Sequence, residues 1–145
     1  MLPAPSRIRR SREFTETMSH GVRAGRASLV VHLDVPADPS QPAAGHAARA
    51  GFVVSKAVGN AVARHLVARR LRALVAVRLD GLPDGSRLVV RALPGSATAS
   101  SGQLARDLDS SLQKAVARAL ERSTAHRERG SGPNEAGSMD EGRVR

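Results

Sequence analysis

The sequence predicts a small two-layer α+β domain, and three observations predict it. Two runs, 28–35 and 86–93, alternate apolar and polar residues as half-buried strands do. The 62–79 stretch has no Gly or Pro and ends at Gly81 and Pro83, as a helix does. A last run, 101–122, repeats Leu104, Leu108, Leu112 and Ala119 at helical intervals. The expected order is α-β-β(-β)-α-β-α, with helices packed on a sheet.

At 145 residues the chain supports one core. The first element, 6–20, sets Ile8, Phe14 and Met18 along one helical flank with its Arg residues outside, and Gly21 supplies a stop. In SLVVHLDV, Leu29, Val31, Leu33 and Val35 share one side of a strand, and Val30, His32 and Asp34 share the other. Residues 36–48 are rich in Pro, Gly and Ala and read as a flexible connection. A second strand follows at 49–56, with Gly51 the expected site of a bulge.

Asn60 is the expected N-cap of the middle helix. The strand at 86–93 carries Arg87 and Arg91 on one face, and the amphipathic run 101–122 closes a domain covering 1–122. Residues 123–145 are polar, Gly-bearing and nearly free of apolar side chains, so a disordered tail is expected there.

The net charge of +10 is not evenly spread. No acidic residue lies between Asp38 and Asp80, whereas Arg49, Lys56, Arg64, Arg69, Arg70, Arg72 and Arg78 all do. A solvated helix ordinarily mixes signs so that i,i+4 pairs offset repulsion. On a helical wheel Ala63, Val67, Leu71 and Leu74 form the expected inward arc. His65, Arg69 and Arg72 form the outward one, with Arg64 and Arg70 at its margins. Rigidly held Arg side chains suit a phosphate backbone, so a nucleic acid is the expected counter-ion.

Several classes are excluded or disfavoured. With no Cys there is no disulfide framework and no Cys-based zinc or redox site. No apolar run approaches a membrane span, so no membrane association and a cytoplasmic location are expected. The five His, at 20, 32, 46, 65 and 126, form no HxH or HExxH pattern, and Asp107 and Asp109 point apart on a helix. No catalytic residue and no metal ligand is expected on the protein.

The run from Lys56 to Arg72, containing Gly59-Asn60-Ala61-Val62, then Arg64, Arg69 and Arg72, resembles the signature of the bacterial ribonuclease P protein subunit, K-x-x-G-N-A-V-x-R-N-R-x-K-R-x-x-R. The likeness extends over most of residues 6–120, through Glu13-Phe14, GFVVSK and LVVRA in order. It implies a ribosomal-protein-like fold with a left-handed crossover, and an accessory role in removing the 5′ leader of precursor tRNA. It further implies a 1:1 partnership with a catalytic RNA subunit that holds the active site and its Mg2+ ions, the protein binding no cofactor.

By the same resemblance, Lys56, Asn60, Arg64, His65, Arg69, Arg70 and Arg72 would bind RNA, and Phe14, Met18 and Val31 would line a cleft for the single-stranded leader. The chain departs from the signature at His65 and Leu66, where Asn and Arg are usual, at Ala68, usually Lys, and at Ala57, the second Lys of the usual S-K-K. Of the three cleft positions only Phe14 can stack on a base. Two rival readings are a helix-turn-helix module, which needs a helix just before the Arg helix, and a membrane-surface helix, which needs bulky apolar anchors.

Overall fold

The computed structural model describes residues 2–36 and 46–131. Alternation in the two strand-like runs is realised as β2 (Leu29–Asp34) and β4 (Arg87–Ala92), which pair antiparallel with Val31 opposite Val90. A shorter strand, β1 (Val22–Gly25), at residues where the sequence predicts no element, pairs antiparallel with β2. On the far edge β3 (Arg49–Val53) runs parallel to β4, giving the sheet order β1-β2-β4-β3. Parallel neighbours need a crossover, and the helix α2 (Ala61–Ala76) supplies it.

The pleat divides the sheet residues into two sets. Leu29, Val31, Leu33, Leu88, Val90 and Ala92 face the main core, where Leu71 of α2 and Leu104 and Leu108 of α3 (Ser101–Ser131) complete an almost wholly aliphatic cluster. Across the strands Arg23, His32, Val89 and Gly51 form a row on the opposite face. Over that face lies α1 (Ser11–His20), with Phe14 above Gly51: a Cβ on Gly51 would fall 2.4 Å from the Phe14 ring.

Charge pairs hold α1 down. Glu13 receives both terminal nitrogens of Arg49, at 3.1 and 2.7 Å. Glu16 accepts from Arg87 at 3.0 Å, and Arg87 also reaches Asp34 at 2.7 Å. The hydrogen bonds from Arg49 hold the Glu13 carboxyl below its ordinary value of 4.5, and those from Arg87 and Arg12 do the same for Glu16. A depressed folded-state pKa contributes stability that is full above about 4.5 and is lost as pH falls through the folded value. Arg49→Met is therefore expected to cost about 1 kcal/mol near neutral pH. That difference should shrink to nothing in acid, as paired denaturation curves of the two chains would show.

Two expectations are revised. Gly51 makes no bulge, because Ala50, Gly51 and Phe52 stay in unbroken register with Leu88, Val89 and Val90. The glycine is instead needed for the close approach of Phe14. The last helix does not stop at 122 but continues to Ser131, so the expected tail boundary moves. Arg118 and Arg122 donate to the main-chain carbonyls of Arg23 and His20, and Ser123 is buried, which anchors this turn of helix beside β1. The rest of the expected tail, 132–145, lies outside the described residues, as does 37–45 of the expected flexible connection.

Candidate nucleic-acid interface

The Arg-rich helix begins where its sequence sets it. Gly59 adopts φ 156° and ψ −162°, a region open in practice only to glycine. The Asn60 side chain then accepts from the Ala63 amide at 2.9 Å, capping the first turn. Lys56 sits exposed in the short 3-10 turn Lys56–Val58 just before it.

The helix is rolled relative to the expected wheel. Val67, Leu71 and Val75 are its buried residues, whereas Ala63 and Leu74 are only partly covered. At about 100° per residue, this turns His65 and Arg72 toward one flank and leaves Arg69 beside the outermost crest. Val62 shares that crest at 78% exposed, and Val77, the C-cap, is equally exposed. The inward roll also carries Arg64 toward the body, where its Nε is buried with no hydrogen-bond partner. On the other flank Arg70 donates to the Ala99 carbonyl at 3.4 Å.

The flank bearing His65, Arg69 and Arg72 forms one wall of a groove of about 480 Å³. Leu2, Arg7, Ile8 and Phe14 form the opposite wall, and Ala50, Gly51 and Phe52 of β3 form the floor. No acidic side chain lines it. Four of the ten expected site residues, Phe14 of the leader set and His65, Arg69 and Arg72 of the RNA-binding set, thus meet here, although sequence places them in two elements some fifty residues apart. Lys56, Asn60, Arg64 and Arg70 lie outside its walls, nearer the start and far flank of α2. Met18 is half-buried one turn along α1 from Phe14 and is not part of the groove lining.

Val31 does not belong to this surface. Its side chain has no exposure and sits in the main core, on the sheet face that α2 and α3 cover. The pleat gives the α1 face to its neighbours Val30 and His32. Sequence reading also missed Phe52, which joins Phe14 as a second groove aromatic. The signal available was that the chain has only two Phe and no Tyr or Trp.

Unpaired charge is likewise redistributed by the fold. Arg49 is neutralised by Glu13, and Arg78 by a two-point pair to Asp109 at 2.6 and 3.2 Å. Of the seven cations in the acid-free stretch, Lys56, Arg64, Arg69, Arg70 and Arg72 have no acidic partner among the described residues.

His32 is 7% exposed, and neither ring nitrogen has a hydrogen-bond partner. Burial, then the cations Arg23 and Arg91, push its pKa below the ordinary 6.5. The unfolded chain therefore binds the proton more readily. Stability from the neutral ring is full above about 6.5 and declines as pH falls toward the folded value. His32→Val is expected to flatten stability between pH 6.5 and 5, measured as denaturation midpoints across that window; an unchanged profile would refute the assignment. Among the described residues no His, Asp and Glu cluster could hold a metal ion.

The chain is similar to known proteins over nearly all of this framework. The sequence profile of the family described as Ribonuclease P matches residues 2–116. A ribonuclease P protein component from Streptomyces bikiniensis is 57% identical over 118 residues, covering 79% of this chain and 94% of that one. The solved RNase P protein of Staphylococcus aureus superposes with a TM-score of 0.65 at 23% identity, covering 76% of this chain and 94% of the other. That of Thermotoga maritima gives 0.60 at 21%, covering 74% and 96%. At those identities the solved structures speak for the fold.

Proposed function

The chain belongs to the ribonuclease P protein family, and from that premise we propose that it binds the RNA subunit of the enzyme through α2 and the single-stranded 5′ leader of precursor tRNA in the groove beneath it. As a ribonuclease P protein component it is a subunit of a tRNA-processing ribonuclease with an RNA partner. The observation that carries the finer reading is the acid-free groove itself, lined by Arg7, Arg69 and Arg72 together with Phe14 and Phe52. Arg provides paired donors for phosphate oxygens, and aromatic rings take unstacked bases.

In this reading the protein performs no bond cleavage. The RNA subunit, with its own Mg2+, hydrolyses the phosphodiester, and the protein supplies no catalytic group and no metal ligand. Its contribution is to hold the leader and to screen phosphate repulsion where RNA strands converge, which favours substrate binding and metal retention at low Mg2+. One protein serves one RNA, in the cytoplasm; no helix among the described residues is long and apolar enough to cross a membrane.

The helix-turn-helix alternative finds no support, because strand β3 and a 3-10 turn, not a helix, precede α2. The test is reconstitution with the cognate ribonuclease P RNA at limiting Mg2+, scoring release of the leader from a precursor tRNA. Stimulation over RNA alone is the expected result. Its absence would defeat the reading.

A further inference from the structure

Strand β3 pairs with β4 on one side only. On its free side the Ala50 carbonyl accepts from the Ile8 amide at 2.9 Å, where Arg7 and Ala50 form an isolated parallel bridge. In an extended strand the residue two further on turns its N–H and C=O the same way. That residue is Phe52, and among the described residues the edge makes no further bridge beyond Ala50. Its ring, half-buried, packs in part against the main core on the sheet face opposite Phe14, and it lines the groove at the β3 edge together with Arg7, Arg69 and Arg72.

We infer that Phe52 is a base-binding residue of this groove: one unstacked nucleobase of the leader lies against its ring and meets the free N–H and C=O of its main chain. This rests on the leader reading above and adds to it a residue and a contact. A nucleobase offers what the site lacks, a flat apolar face with a donor and an acceptor on its edge. The phosphates on either side of that base meet the Arg walls. An extended peptide could use the same main-chain groups, but its neutral backbone would leave Arg7, Arg69 and Arg72 without counter-ions in the groove.

The test uses the reconstituted holoenzyme. An abasic sugar placed at successive leader positions should weaken wild-type binding at one position by about five- to a hundredfold, the range base stacking covers. Phe52→Leu, which keeps the residue apolar, should abolish that penalty while leaving affinity for leaderless tRNA unchanged. Because the chain has no Trp or Tyr, Phe52→Trp introduces a lone indole, whose fluorescence should be quenched by leader-bearing precursor and not by leaderless tRNA. An abasic penalty equal in wild type and Phe52→Leu, with the leader still contributing to affinity, would overturn the inference alone. If removing the leader changed nothing in the wild type, the leader reading would fail and this inference with it.

Discussion

Replacing Arg64, Arg69 and Arg72 together by Ala is expected to weaken binding of the RNA subunit on the order of a thousandfold, since each charge-assisted contact contributes about 1.5 kcal/mol or more. The logarithm of the affinity should also fall less steeply with the logarithm of salt concentration, the slope flattening by about 2 for three contacts to single-stranded backbone. Arg69 and Arg72 open onto the groove, whereas the Nε of Arg64 is buried without a protein partner. A change near 1.4 instead of 2 would therefore assign the phosphate contacts to Arg69 and Arg72 alone. Arg49→Ala and Arg78→Ala are the matched controls. Both remove a positive charge from the same acid-free stretch, yet each is already balanced by a carboxylate, so the salt slope should stay where it was. A triple variant with unchanged affinity and slope would remove α2 from the RNA interface.

Gly51→Ala carries the second large effect, because one methyl group there reaches both stability and binding. The added Cβ would lie 2.4 and 2.5 Å from Phe14 ring atoms, inside any real carbon contact, so the ring or α1 must move. Overpacking of this kind costs about 1 to 3 kcal/mol. The displaced ring leaves the groove wall, and affinity for leader-bearing precursor should drop more than affinity for leaderless tRNA. Pairing Gly51→Ala with Phe14→Leu removes the clash and should restore most of the stability without restoring leader affinity. If the single variant matched the wild type in both measurements, the close approach of Phe14 would have no functional weight.

Features that depend on near neighbours were legible in the sequence. Asn60 caps the helix three residues from the amide it accepts, and Gly59 takes a backbone shape other residues avoid, so both follow from local chemistry. The alternation in β2 and β4 and the Leu spacing of α3 were readable for the same reason. The four residues of β1 carry too little pattern to be read as a strand, and pairing with β2 decides them. The extent of α3 past 122 rests on Arg118 and Arg122 reaching carbonyls about a hundred residues back.

The candidate site divides in the same way. Sequence supplied the cations of α2 and the aromatic of α1, and it separated the residues of β2 correctly into two faces. It could not say which face α1 covers, so nothing local tested the resemblance's assignment of Val31 to the cleft, whereas the fold gives the α1 side to Val30 and His32. Arg49 and Arg78 looked unneutralised because Glu13 and Asp109, 36 and 31 residues distant, act only once the chain is folded.

By itself, then, the sequence determined the elements, their order, the family likeness and the surplus of positive charge, because helix and strand periods, caps and turns are written within a few residues. Tertiary structure alone decided the roll of α2, which of its cations remain unpaired, and the placing of Phe14 and Phe52 along one groove. Those are set by packing and long-range electrostatics, where one rotation of a helix or one choice of sheet face redirects every side chain it carries.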